Sequence, residues 1–425
     1  MGERMSRTKK KFSGWSVFAG CLILMIFPGG MMSYTAGLFM YPICEEFGFS
    51  VTAYSMVLTL TAVVNALVSA FLVGYLSKGS RKTMKIIMLV SVVIVCVGFL
   101  LQSRCTQLWQ FYLMAIIWSL GYNMITFIPV TMILSNWFVK KRELVTGIAI
   151  AFSNLGGAVF NTVISKLIST EGWRYAYVFS GLLALAACTI AVLFSLKRSP
   201  EKYGQEPYGA ESAADSAVQE KQKVWMGVDK KTALKTPAFY FLCLAMLLTG
   251  IYGAGIANHV VTYLCKGGWD ITAAGLVMTV YTLAGVAGST GGGALLEKIG
   301  YRKGVIAGGV LGVLAVVSLI FGGKIHAMAY IFAILLGCGC FLVGLLPSQS
   351  VANTFGLKEY AGIYGMSYAC YLIGCAVSTP VIAIISEKTG YLTAWIGIVI
   401  LILAIVILHL LCISEGEKIR EKYPD

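Results

Sequence analysis

Twelve separate runs of close to 20 or more predominantly apolar residues recur along these 425 residues, each about the length that crosses the hydrocarbon of a bilayer. They extend from Trp15 to Tyr41, Thr52 to Leu76, Met84 to Leu101, Leu108 to Phe138, Leu144 to Ile168, Trp173 to Leu196, Ala238 to Cys265, Ile271 to Leu296, Val305 to Gly322, Ala327 to Ala352, Tyr360 to Ser386 and Tyr391 to Ile413. One soluble core cannot hide them, because 58% of the residues are hydrophobic, 12% are charged and the mean hydropathy is +0.81. The chain therefore reads as an all-α membrane protein with twelve transmembrane helices. The basic stretch before Trp15 is followed by too long an apolar run, with no small-residue cleavage site, to be a signal peptide, so the first helix is expected to stay.

A net charge of +14 invites a nucleic-acid reading, but the cations alternate between loops. With a cytoplasmic N-terminus, 27 of the 33 Lys and Arg fall inside; Arg104, Lys166, Arg174, Lys266, Lys324 and Lys388 fall outside. That is the positive-inside bias, and it places both termini in the cytoplasm and excludes nucleic acid as the partner. The twelve cysteines form no CxxC pair and no His-flanked metal spacing, so they read as small packing residues; no cofactor and no metal are expected. The lack of any Asn-x-Ser/Thr sequon favours a bacterial plasma (inner) membrane.

The chain is written twice. "GFSVTAYSMV" from Gly48 matches "GWDITAAGLV" from Gly268 at an offset of 220, and "GYLSKGSRKTM" from Gly74 corresponds to "GALLEKIGYRKG" from Gly293 at 219. "GIAIAFSNLGGAV" from Gly147 matches "GMSYACYLIGCAV" from Gly365 at 218. Three ordered segments at one spacing define a repeat. The expected organisation is a basic tail (1–14), a six-helix bundle (15–196), a polar linker (197–237), a second, pseudo-symmetric six-helix bundle (238–413) and a cytoplasmic tail (414–425). Two parallel six-helix halves are a transporter architecture, with the site at their interface near the midplane.

These residues resemble the major facilitator superfamily over essentially the whole chain, since "GALLEKIGYRK" fits its Gly-x-Leu-x-acid-base-x-Gly-x-base-base loop motif. The resemblance implies a gate latch formed by Gly293, Glu297, Lys298, Gly300, Arg302 and Lys303 at the cytoplasmic ends of spans 8 and 9. Glu297 would face a helix N-terminus of the other half and bias the outward-facing state. The first copy departs from the motif, with Lys78 where the acid belongs and Ser80-Arg81-Lys82 one residue short, which leaves Arg81 and Lys82 as its latch residues. Motif order further resembles the oxalate/formate antiporter and monocarboxylate transporter branch, through "YPICEEFGFSVTAYS", "SNWFVKKRELVTGIAIAFSNLGGAV", "GWRYAYVFSG", "SPEKYGQEPYG" and "NHVVTYLCKGGWDITAAG". That branch places basic residues in spans 8 and 11 against the substrate carboxylate; here those positions read Ser289 and Tyr371. Neither span 8 nor span 11 holds a Lys or Arg in its interior and every Asp and Glu lies outside the spans, so a dicarboxylate is disfavoured and a monocarboxylate, or a neutral or aromatic molecule, remains.

Gly- and Pro-bearing stretches interrupt spans 1, 4, 7 and 10, at 27–34, 118–129, 248–259 and 337–349, and freed backbone there marks the expected site. The candidate substrate-binding residues are Tyr34, Trp118, Tyr122, Asn123, Tyr252, Asn258, His259, Tyr281, Ser289, Gln349, Tyr368 and Tyr371. Asn65 and Asn154 read as helix-to-helix hydrogen bonders, and His259 as the group for proton coupling. The expectation is a monomeric secondary transporter, symporter or antiporter, of a small monocarboxylate. The partners expected are this small-molecule substrate, a co-transported or exchanged ion, and the lipid bilayer. The alternatives are a carrier of neutral or aromatic molecules and, from another class, a non-transporting membrane sensor. No nucleophile, base and orienter assemble into an enzyme site.

Overall fold

In the computed structural model the described residues are 13–78, 81–138, 142–195, 200, 205–208, 227–356 and 358–423; the side chains at 70–78, 81–83, 142–143, 194–195, 297 and 361 fall outside the description. Among them, twelve helices are long and apolar enough to cross a membrane: span 1 Gly14–Phe47, span 2 Val51–Ser69, span 3 Met84–Gln102, span 4 Leu108–Trp137, span 5 Leu144–Glu171, span 6 Trp173–Leu193, span 7 Pro237–Lys266, span 8 Ile271–Leu296, span 9 Tyr301–Gly322, span 10 His326–Phe355, span 11 Gly362–Thr389 and span 12 Tyr391–Lys422. Apolar stripes such as Val90, Val93 and Val97 stay exposed at helical spacing, as surfaces meant for lipid do. All twelve cysteines are free thiols.

Three of the four expected interruptions are present. Span 1 passes through a π-helical stretch, Met25–Met32, that contains Pro28; span 4 breaks between Tyr122 and Phe127; span 10 breaks after Cys338 and again before Leu346, beside Pro347. Span 7 corrects the sequence reading, for Pro237–Lys266 is one continuous helix. Its glycines keep their N–H groups, so the hydrogen-bond ladder closes where a proline would have opened it.

Those glycines serve close approach instead. A Cβ on Gly250 would lie 2.2 Å from the Tyr371 carbonyl oxygen, and one on Gly374 2.0 Å from that of Leu247, so spans 7 and 11 cross backbone to backbone. Spans 1 and 5 do the same in the first half: Cβ atoms on Gly30 and Gly156 would meet the carbonyl oxygens of Ser153 and Ile26 at 2.6 and 2.4 Å. Gly30 and Gly250 are 220 residues apart and Gly156 and Gly374 are 218 apart, the same spacings as the sequence repeat.

The halves meet along two long seams, span 2 with span 11 and span 5 with span 8, and span 1 also packs on span 7, where a Cβ on Gly37 would lie 3.3 Å from the Ala257 carbonyl oxygen. Thr59 Oγ1 donates to the Ala376 carbonyl at 2.7 Å across the first seam, and Thr279 Oγ1 donates to the Ala158 carbonyl at 3.0 Å across the second. Thr59 and Thr279 are 220 apart and Ala158 and Ala376 are 218 apart, so the two bonds are one bond made twice. Further from the termini, the Glu387 carboxylate of span 11 accepts from Thr52 N at 3.1 Å and Thr52 Oγ1 at 2.5 Å, capping span 2 from the opposite half. Toward the termini the seams part. Ala376 and Ala383 are buried, whereas Gly365 and Ala369, on the same face of span 11, are exposed; span 5 repeats this with Ala158 and Ser165 buried and Gly147 exposed.

The linker hangs from the end that carries the termini. Tyr208 N donates to the Trp137 carbonyl at 2.8 Å, and Val228 N donates to that of Phe355 at 3.0 Å; these acceptors are 218 residues apart, at the ends of spans 4 and 10. Tyr208 also joins the rings of Trp15 and Phe138, with centroids at 6.1 Å from each.

Gly374→Ala is expected to lower the melting temperature of the detergent-solubilised protein, because overpacking a close crossing costs about 1–3 kcal/mol. Gly365→Ala, where nothing lies within 4 Å of the added Cβ, is expected to leave it unchanged or raised. Each seam bond is worth about 1 kcal/mol, so Thr59→Val with Thr279→Val shifts the balance toward opening at the end far from the termini by about 2 kcal/mol, roughly thirtyfold. Faster maleimide labelling of Cys44, which lines a crevice there with Lys266 and Glu387, reads that shift.

Candidate functional site

Where the seams part, a cavity of about 460 Å³ opens between the halves. Span 1 contributes Tyr34, span 5 Ile150 and Asn154, span 7 Tyr252, span 8 Tyr281, Thr282 and Ser289, span 10 Cys340 and Phe341, and span 11 Tyr371. Irregular backbone supplies two of the walls, as Tyr34 follows the π-helical stretch of span 1 and Cys340 sits in the gap of span 10. Tyr34 OH donates to Asn154 Oδ1 at 2.5 Å, tying span 1 to span 5 at the wall. No lining residue carries a charge.

Of the residues singled out in the sequence, Tyr34, Tyr252, Tyr281, Ser289 and Tyr371 share this cavity. The others lie elsewhere. Trp118 borders a small apolar crevice inside the first half with Phe99 and Tyr177. Tyr122 is buried and hydrogen-bonded to Ser33, and Asn123 Nδ2 donates to Asn65 Oδ1 and O at 2.9 Å, joining spans 4 and 2. Asn258 donates to Thr379 Oγ1 at 3.0 Å. His259 is fully buried, with Nε2 2.9 Å from the Thr379 carbonyl and Nδ1 3.3 Å from Tyr391 OH, so both ring nitrogens engage the second half alone. Gln349 is exposed and accepts from Asn353 through its backbone carbonyl; Tyr368 stacks on Tyr371 just outside the cavity wall.

Beyond that set the lining includes Asn154, Thr282, Ile150, Cys340 and Phe341. Cys340 lies in the broken "GCGCFLVGLLPSQ" stretch, which was the available signal. Asn154 was read as a helix-to-helix bonder, and it is one that also faces the cavity.

At the loop between spans 8 and 9, Gly300 takes φ +81° and ends one helix as it begins the next, a conformation that favours glycine. Lys298, Arg302 and Lys303 are exposed. The side chains of Glu297, Arg81 and Lys82 lie outside the described residues. Among the described residues the ion pairs are Arg174–Glu46 and Lys418–Glu415, both 2.6 Å, and neither involves Lys298, Arg302 or Lys303.

A model of the Major Facilitator Superfamily matches residues 22–267 and 266–423, and the chain belongs to that family of membrane transporters. It is 24% identical over 333 residues to the MFS transporter asaE of Aspergillus flavus, covering 77% of this chain and 71% of that one. It is 23% identical over 386 residues to monocarboxylate transporter 4 of Gallus gallus, covering 86% and 75%. Among solved structures, a variant of the nucleoside transporter NupG superposes with a TM-score of 0.70 at 15% identity, covering 94% of this chain and 99% of that one, a likeness of fold.

An uncharged wall can be given a cation by design. Ser289→Arg is expected to create oxalate-dependent thermal stabilisation that the parent protein lacks, because a guanidinium pairs with a carboxylate in two parallel hydrogen bonds.

Proposed function

We propose that this transporter carries a small monocarboxylic acid across a bacterial plasma membrane, both termini cytoplasmic, by rocking its two halves about the seams. The observation that carries the reading is a cavity rich in tyrosine hydroxyls and free of charged side chains. Such a wall can hold one carboxyl group through several neutral hydrogen bonds, while a dianion would be stranded without a counter-charge. The similarity to monocarboxylate transporter 4 supports the same substrate class. With no carboxylate or histidine in the lining, the acid brings its own proton. The described conformation is then the inward-open one, and the loop between spans 8 and 9 serves as the latch when that end closes.

A second reading, a neutral or aromatic molecule, draws on the same lack of a cation.

Uptake of labelled lactate, formate and oxalate into proteoliposomes, with and without a pH gradient, separates them. Saturable lactate or formate uptake, faster when the lumen is alkaline, with oxalate excluded, is the expected result. Tyr371→Phe removes one hydroxyl from the wall and is expected to raise KM roughly two- to tenfold. His259→Gln is expected to keep the gradient response, since its ring does not line the cavity. Absence of acid uptake under either gradient sinks the monocarboxylate reading and leaves the neutral one.

A further inference from the structure

Span 11 places tyrosines at 360, 364, 368 and 371, spaced four, four and three residues apart, which keeps them on one helix face. Their rings form a continuous stack: centroids are 5.6 Å apart from Tyr360 to Tyr364, 5.5 Å from Tyr364 to Tyr368 and 5.2 Å from Tyr368 to Tyr371, with interplanar angles of 7°, 27° and 21°. The bottom rung stands at the end of the helix nearest the termini, where Tyr360 OH reaches the Ser348 carbonyl at 3.4 Å. The top rung, Tyr371, lines the cavity.

The stack does not face lipid. Ile373, Val377, Val381 and Ile384 form the exposed apolar stripe of this helix, and at about 100° per residue Tyr368 falls on the opposite side. Its 38% exposure is therefore toward the opening between the halves. Gly365 and Ala369, exposed beside it, mark the same opening.

We propose that this tyrosine ladder is an entry subsite for a planar aromatic ring, and that the acid carried is an aromatic monocarboxylate. The inference rests on the monocarboxylate reading above and adds the chemistry of the rest of the molecule. A ring lying along the ladder meets tyrosine edges and hydroxyls in the edge-to-face and offset arrangements that aromatic pairs prefer. It then passes from Tyr368 to Tyr371 and comes to rest among Tyr34, Tyr252, Tyr281 and Phe341. The cavity, at about 460 Å³, lies within the range that encloses drug-sized ligands, well beyond the needs of a three-carbon acid.

The test compares benzoate, lactate and the neutral benzamide in proteoliposome uptake, for the parent protein and for Tyr368→Leu, Tyr368→Phe and Tyr364→Leu. The readout is the ratio of kcat/KM for benzoate to that for lactate. The parent is expected to favour benzoate; both Leu variants lower the ratio about threefold to tenfold, chiefly through KM, and Tyr368→Phe restores it because the ring is kept. An unchanged ratio in the Leu variants, a Phe variant as poor as Leu, or a parent that prefers lactate overturns the ladder while leaving the monocarboxylate reading standing. Uptake of benzamide without benzoate overturns the acid reading and the aromatic-acid assignment with it. Uptake of none of the three overturns both.

Discussion

Hydrocarbon offers no hydrogen bonds, and the arrangement of this chain follows from that lack. Every backbone amide within the spans must find a partner in protein or in a water-filled space, so the twelve crossings are helical and the departures from helix fall where other helices or the cavity surround them. The π-helical stretch of span 1 lies against span 5, and the breaks in span 10 lie beside the cavity. With burial of apolar surface giving little drive between helices in lipid, contact depends on how near two backbones can come. The glycine crossings of spans 1 with 5 and 7 with 11 answer that need, and they fix the walls from which Tyr34, Tyr252 and Tyr371 project.

Much of this was legible in the sequence because it depends on local chemistry. Length and apolarity alone locate a span, and the duplicated segments carry an offset that reappears in the glycine crossings and in the seam threonines. Proline is legible only in part: Pro28 and Pro347 mark irregular backbone, whereas Pro380 sits within the continuous helix of span 11. Glycine is less so, because it permits a break without requiring one, and span 7 used Gly250 for proximity instead. The candidate site was harder to read for a geometric reason. Whether a polar residue at the right depth faces the cavity depends on the rotation of its helix, which neighbours set. Asn123 and Asn258, at suitable depths, turn to other helices, whereas Asn154 meets both a neighbouring helix and the cavity.

The character of the cavity comes from what its positions lack. Ser289 and Tyr371 stand where the resemblance to the oxalate/formate and monocarboxylate branch led one to look for cations, and the remaining lining is hydroxyl, amide, thiol and hydrocarbon. A neutral wall holds its ligand by number and placement of hydrogen bonds and by shape, interactions that salt screens little. It also avoids the penalty of keeping an unpaired charge buried while the site is empty. The same neutrality leaves aromatic surface as the main means of telling one ligand from another.

The paired seam bonds, Thr59 to Ala376 and Thr279 to Ala158, have a consequence for where such a chain can come from. Two identical subunits around a true twofold axis meet in this way, each offering the patch that the other receives. The closed end of this molecule thus has the two-sided form of a homodimer interface within one polypeptide, and the linker joins the halves from the matching carbonyls of Trp137 and Phe355.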